Sequence, residues 1–222
     1  KRGGYFLKIK KYNKALIDVN QAIELDSSCS SCFEVRSKIY QALGDTLKAM
    51  NDINKIISWY PEYQDYYYTR AHHYRKMKQY DKAISDINYT LSLDSTTSSP
   101  YFERAIYYIE IGEYENAIKD YYTILKIDPD DPESYYYLAL LYGMQGEQEK
   151  SVEMLTISIL YKEAGPSYRI RNEDLSLDLM LSDLYIKRAD VYAEIKSDKW
   201  MCADYQKACD LGDCEMFEKH CK

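Results

Sequence analysis

The chain has 222 residues, 29 Lys and Arg against 36 Asp and Glu, a formal net charge of −7, and 26 tyrosines. The acidic balance, with basic residues scattered and never clustered beyond Lys8-Ile9-Lys10-Lys11, excludes a phosphate-binding surface and with it nucleic acid as the partner. No apolar run reaches the ~18 residues that a membrane span needs; the longest, Tyr135 to Met144, suits a packed helix.

The start, Lys1-Arg2-Gly3-Gly4, has no apolar stretch behind it and is not a signal peptide. The first element begins partway through a helix, which leaves room for upstream sequence, an export signal included. From there the chain repeats every 34 residues: Asp26, Tyr60, Asp94 and Asp128 are spaced so, as are Phe6, Tyr40, Tyr74, Tyr108 and Tyr142. A period in the 20–50 range marks a repeat array, in which each unit buries its apolar face against its neighbours.

Each unit reads as two antiparallel helices. Tyr101, Phe102, Ala105, Tyr108 and Ile109 follow helical spacing, and so do Ala117, Ile118, Tyr121, Ile124 and Leu125. Gly44, Gly112 and Gly146 fill the turn between the helices, while Pro61 and Pro129 follow the second helix and cannot continue it. A small residue recurs in the first helix (Gly3, Ser37, Ala71, Ala105, Ala139, Ala189) and another in the second (Ala15, Ala49, Ala83, Ala117, Ser151). Small side chains at both places let the paired helices approach closely. The units run about 1–29, 30–63, 64–97, 98–131 and 132–163. An insert at about 163–178, opening on Gly165-Pro166-Ser167, breaks the register, and a last unit with a cap spans about 179–222. Asn172 or Asp174 would cap the helix that follows the insert. In the last unit Met201 replaces the second small residue, which predicts looser packing there.

These columns, with bulky Phe33, Tyr67, Tyr101 and Tyr135 four positions before the small residue, resemble the tetratricopeptide repeat over nearly the whole chain. The resemblance implies an all-α, right-handed superhelical solenoid of about six units in one domain, 1–222. It also implies a concave groove lined by first helices that binds a protein or peptide as a scaffold, without catalysis. Mapped onto this sequence, the groove carries Glu34, Lys38 and Gln41, then Tyr68, His72 and Arg75, then Phe102, Ile106 and Ile109, then Tyr136, Leu140 and Met144. The expected anchors are Tyr68, Phe102, Ile106, Tyr136 and Leu140, with Arg75 and His72 giving polar contacts. The family's carboxylate clamp for chaperone tails needs Lys, Asn and Arg where this chain has Tyr68, His72, Phe102 and Ile106, so that mode does not fit.

Arg2, Arg36, Arg70, Arg104 and Arg188 precede the small residue of each first helix. Asp18, Asp52, Asp86, Asp120 and Asp204 recur in the second helices. The fifth unit has Leu138 and Met154 instead. Both charges vanish together, so the two side chains are expected to pair within each unit.

Six cysteines complete the reading. Cys202 and Cys209 share a helix face, as do Cys214 and Cys221, on either side of Leu211-Gly212-Asp213. Folding the two helices about Gly212 sets Cys209 against Cys214 and Cys202 against Cys221, a nested pair of disulfides. Free thiols and zinc are the alternatives, zinc without the usual Cys-x-x-Cys spacing. The tail from Cys202 to Gly212 looks like the ending of small exported bacterial tetratricopeptide proteins. Such disulfides would favour the periplasm or the cell surface over the cytoplasm. Cys29-Ser30-Ser31-Cys32 reads as a local disulfide or inert thiols, with thiol-redox chemistry or a metal as the alternatives.

Enzyme motifs are missing: there is no phosphate loop, no His-Glu-x-x-His and no nucleophile elbow. His72 and His73 point about 100° apart on a helix and cannot chelate together. Asp128-Pro129-Asp130-Asp131-Pro132-Glu133 lacks the calcium-loop pattern and reads as an acidic helix start. No cofactor or metal is expected. Self-association into a homo-oligomer and glycan binding on the tyrosines stand as further readings.

Overall fold

The computed structural model describes residues 11–164 and 181–222. Gly3, Phe6 and Arg2 of the register, and the insert residues from Gly165 through Asn172 and Asp174, lie outside the described residues. Within them the chain forms twelve helices and no strand. They are α1 (Tyr12–Leu25), α2 (Ser30–Ala42), α3 (Thr46–Trp59), α4 (Gln64–Lys76), α5 (Tyr80–Leu93), α6 (Ser99–Glu110), α7 (Tyr114–Ile127), α8 (Pro132–Met144), α9 (Gln148–Ala164), α10 (Leu181–Glu194), α11 (Asp198–Asp210) and α12 (Glu215–His220). The chain divides into two compact units, Lys1–Ser95 and Thr96–Lys222. In the first, α1 to α5 pack each on the next; in the second, α6 to α12 do the same.

One turn geometry closes five hairpins among the described residues. Gly44, Gly112 and Gly146 take left-handed backbone, with φ of 78°, 80° and 77°, as glycine does at least cost. Lys78 and Lys196 hold the same place at φ 56° and 57°, so the turn is imposed on a side-chain-bearing residue in two hairpins. The next residue's N–H then closes a Schellman bond to the carbonyl of the recurring tyrosine. These bonds run from Asp45 to Tyr40, Gln79 to Tyr74, Glu113 to Tyr108, Glu147 to Tyr142 and Ser197 to Tyr192, at 2.8–2.9 Å.

The small-residue columns are the hairpin seams. Ala15, Ala49, Ala71, Ala83, Ala105, Ala117, Ala139 and Ala189 are fully buried, and Ser37 and Ser151 nearly so. Ser37 keeps its hydroxyl satisfied inside the seam by donating to the Ala49 carbonyl at 3.0 Å. Between seams, larger apolar side chains fill the space: Ala15, Val19 and Ile39 form one cluster, and Phe33, Ile53, Ile56 and Ile57 another. Met201 is half-buried, and α10 still packs along α11.

At the C-terminal end α12 has no buried residue and packs on α11. Two disulfides, Cys202–Cys221 and Cys209–Cys214, fasten it there. Tyr205 of α11 stacks on His220, ring centres 5.8 Å apart. A six-residue helix cannot hold itself by propensity, so the covalent links supply what a core would otherwise provide.

Candidate functional site

The first helix of each hairpin is positioned by the arginine just before its small residue. Arg36 donates from Nε and Nη2 to both carboxylate oxygens of Asp52 at 2.8 and 2.7 Å. Arg70 does the same to Asp86 at 2.8 and 2.7 Å, Arg104 to Asp120 at 2.8 and 2.6 Å, and Arg188 to Asp204 at 2.7 and 2.7 Å. These are bidentate, charge-assisted pairs between the two helices of one hairpin.

The remaining guanidinium nitrogen reaches the other way. Arg36 Nη1 donates to Asn20 on α1 at 2.9 Å, Arg70 Nη1 to Asn54 on α3 at 2.8 Å, and Arg188 Nη1 to Thr156 on α9 at 3.0 Å. Each of these arginines therefore ties three successive helices. The sequence carries a signal for this third contact: Asn20, Asn54 and Asn88 repeat at the same 34-residue spacing.

Aromatic rings flank the guanidinium on its own helix. Arg36 lies over Phe33 and Tyr40, Arg70 over Tyr67 and Tyr74, and Arg104 over Tyr101 and Tyr108, with centroid distances of 5.0–5.9 Å. The two bulky columns thus give the cation an apolar, electron-rich slot as well as filling space. Hydrogen bonding to the aspartate raises Arg36 and Arg70 above their ordinary range. At Arg104 burial works against the charge, yet Asp120 still holds the guanidinium above its usual value. Burial lifts the Asp120 carboxyl above the ordinary carboxylate range in spite of Arg104. Desolvation therefore takes back much of what that pair gains.

The fifth hairpin, α8 and α9, replaces the pair with Leu138, fully buried, and Met154, buried beside the seam. Its flanking rings find other partners. Tyr135 stacks on Tyr161 at 5.6 Å, and the Tyr142 hydroxyl meets that of Tyr122 at 2.9 Å.

The face expected from register divides by unit. In the first unit Glu34, Gln41, Tyr68, His72 and Arg75 are half-buried, and Lys38 is exposed and paired with Glu34 at 2.6 Å. In the second unit Ile109 and Leu140 are half-buried and Met144 is 61% exposed. Phe102, Ile106 and Tyr136 are corrected: at 2%, 9% and 6% exposure they are core residues that support the face rather than form it. Phe102 is enclosed by Tyr121 and Tyr137, at 5.8 and 5.4 Å, and those two rings stack on each other at 5.3 Å. Tyr137 in turn meets Tyr136 edge-on at 5.6 Å.

His73, the neighbour of His72, faces inward. It is 1% exposed, and neither ring nitrogen has a hydrogen-bond partner among the described residues. Burial, then the nearby charges of His72 and Lys76, push its pKa down to about 4, so it sits in the core as neutral imidazole.

All six cysteines are in disulfides: the two of the tail, and Cys29 with Cys32 at the start of α2. Among the described residues no helix is long and apolar enough to cross a membrane, and no cluster of His, Cys, Asp and Glu is arranged to hold a metal ion.

Comparison with known proteins agrees with this architecture. The family model described as tetratricopeptide repeat matches residues 32–63 and 64–96, and one described as TPR repeat matches residues 106–146. These segments are tetratricopeptide repeats. The matched segments cover hairpins α2–α3 and α4–α5 and run from α6 into the turn after α8.

Solved structures extend the likeness to the fold. A tetratricopeptide repeat protein from Parabacteroides merdae is 21% identical with a TM-score of 0.61, over 99% of this chain and 82% of that one. MamA from Desulfovibrio magneticus RS-1 is 13% identical with a TM-score of 0.67, over 82% of this chain and 94% of that one. YrrB, a TPR protein with an unusual peptide-binding site, is 19% identical with a TM-score of 0.62, over 73% and 84%. No curated protein matches the sequence.

Proposed function

We infer that this tetratricopeptide array is a scaffold that binds polypeptide segments on the face that the first helices leave open in each unit. The observation that carries this is the side-chain content of that face once the core is subtracted. Tyr68, His72 and Arg75 remain in the first unit, and Ile109, Leu140 and Met144 in the second. The first set offers aromatic and hydrogen-bonding contacts; the second offers apolar surface next to a helix end. Aromatic and arginine side chains are the usual anchors of protein interfaces, and exposed methionine adapts to varied partners. The likeness in fold to YrrB, a peptide-binding tetratricopeptide protein, supports the same reading.

Three disulfides and no free thiol support an oxidising location, the periplasm or the cell surface, as for small exported bacterial proteins of this family. Peptides selected on the full chain from a random display library test the binding reading. Titrated by calorimetry, each should bind at least tenfold more weakly, about 1.4 kcal/mol, to Arg75→Ala where it seats on the first unit or to Leu140→Asp where it seats on the second. Peptides that bind both variants as tightly as the parent would remove this face from the function.

A further inference from the structure

The turn between α1 and α2 holds a disulfide for which the scaffold has no evident use. Cys29 is the N-cap of α2, and Cys32, to which it is bonded, is the third residue of that thirteen-residue helix. The Cys32 N–H donates to the Cys29 sulfur at 3.2 Å. The two sulfurs differ in setting. Cys32 packs against the cluster of Ala15, Val19 and Ile39, whereas Cys29 lies in the turn outside it. On the solvent side the flanking side chains are small: Ser27, Ser28 and Ser31 are exposed and Ser30 is half-buried, while Phe33 turns into the cluster with Ile53, Ile56 and Ile57. The nearby carboxylate of Asp26 is engaged by Ser28, whose N–H and hydroxyl donate to it at 2.9 and 2.6 Å.

A half-buried sulfur capping the positive end of a helix, bonded to one held against the core and flanked in sequence by exposed serines, has the parts of an exchange site. We propose that Cys29–Cys32 donates its disulfide to paired thiols of a partner polypeptide. A substrate thiolate attacks the Cys29 sulfur. The Cys29–Cys32 bond breaks, and Cys32 leaves with the electron pair and takes up a proton. The second substrate thiolate then attacks the substrate sulfur of the mixed disulfide, and Cys29 departs as thiolate. The substrate dithiol has lost two electrons and two protons and become a disulfide; the protein holds the dithiol. An added disulfide such as oxidised glutathione recharges it by the reverse exchange.

The helix sets the direction. The Cys32 amide and the α2 N-terminus stabilise the thiolate that forms on Cys29, and stabilising the reduced form makes the disulfide a stronger oxidant. The tail pairs are built differently and serve as internal controls. Cys209 lies in the last turn of α11, at the negative end of its helix, and Cys214 precedes a helix of only six residues and accepts no capping bond.

The experiment mixes the oxidised full chain with a short synthetic peptide carrying two reduced cysteines, without oxygen, quenches by alkylation and maps the cysteines by mass spectrometry. The expected result is one peptide disulfide formed per chain, matched by reduction of Cys29 and Cys32, at least tenfold faster than any reduction of the tail pairs. In Cys32→Ser, alkylation of Cys29 should follow a pKa at least one unit below the ~8.5 of an ordinary cysteine. Exchange at Cys29–Cys32 no faster than at the tail, or a Cys29 pKa at or above ~8.5, would overturn the proposal. The peptide assay uses the unaltered chain and decides even if the variant does not fold.

Discussion

The α6–α7 and α8–α9 hairpins answer one packing problem in opposite ways. In α6–α7 the space between the helices beside the alanine seam holds Arg104 and Asp120, joined by two hydrogen bonds and flanked by Tyr101 and Tyr108. In α8–α9 the same register positions hold Leu138 and Met154, both buried. Ala105 and Ala139 are fully buried in either case, and Gly112 and Gly146 make the same turn. The seam and the turn define the hairpin; the charges are one of two ways to close it. A hairpin tolerates both charges or neither, because a lone buried charge costs far more than the pair contributes.

That comparison can be broken from the apolar side first. Leu138→Arg would push a guanidinium into a site whose opposite residue is Met154, and we expect about 4 kcal/mol of lost stability, the largest effect of the set. Native-state hydrogen exchange of the α8 and α9 amides would measure it. Adding Met154→Asp should return at least half of the loss. From the charged side, Asp120→Ala strands Arg104, which is 19% exposed at its side chain and so partly relieved by water; about 3 kcal/mol is expected.

The lone buried imidazole in the first unit extends the same logic to pH. His73 has its pKa pushed down to about 4, so the unfolded chain binds a proton that the folded chain refuses between pH 6.5 and 4. The stability of the first unit should be full above pH 6.5 and fall toward pH 4, by on the order of 2 kcal/mol from this group. His73→Ile copies the residue found one period earlier, Ile39, which is fully buried. It should remove that slope in acid unfolding curves followed by helicity. The smallest effect should come from replacing both charges at once: Arg104→Leu with Asp120→Met should lie within about 1 kcal/mol of the parent.

The fold was legible because it repeats. Five copies of a register show which positions are small, which are aromatic and which charges come and go together, and the simultaneous loss of Arg and Asp at Leu138 and Met154 pointed to contact between them. The mirrored cysteine spacing about Gly212 is likewise a fact of the chain that a hairpin turns into proximity. The asparagine and threonine contacts of the arginines were harder to read. Asn20 and Asn54 share the period, but Thr156 is a different residue type that performs the same acceptor role. The face was least legible. Register places Phe102 and Tyr136 on it, and only the sizes of their neighbours decide burial: Tyr121 and Tyr137 stack and close over Phe102. His73 was hidden for a similar reason, since its pattern position is that of Ile39 and its residue type suggests a surface.

A double-mutant cycle on Arg104→Leu and Asp120→Met tests the interchange of charged and apolar closure most directly. Each single variant should lose about 2–3 kcal/mol and the double almost nothing, a coupling of at least ~3 kcal/mol between the two positions. Losses that simply add, leaving a coupling within ~0.5 kcal/mol of zero, would show that the two side chains contribute independently, contrary to a shared site filled by a pair or by none.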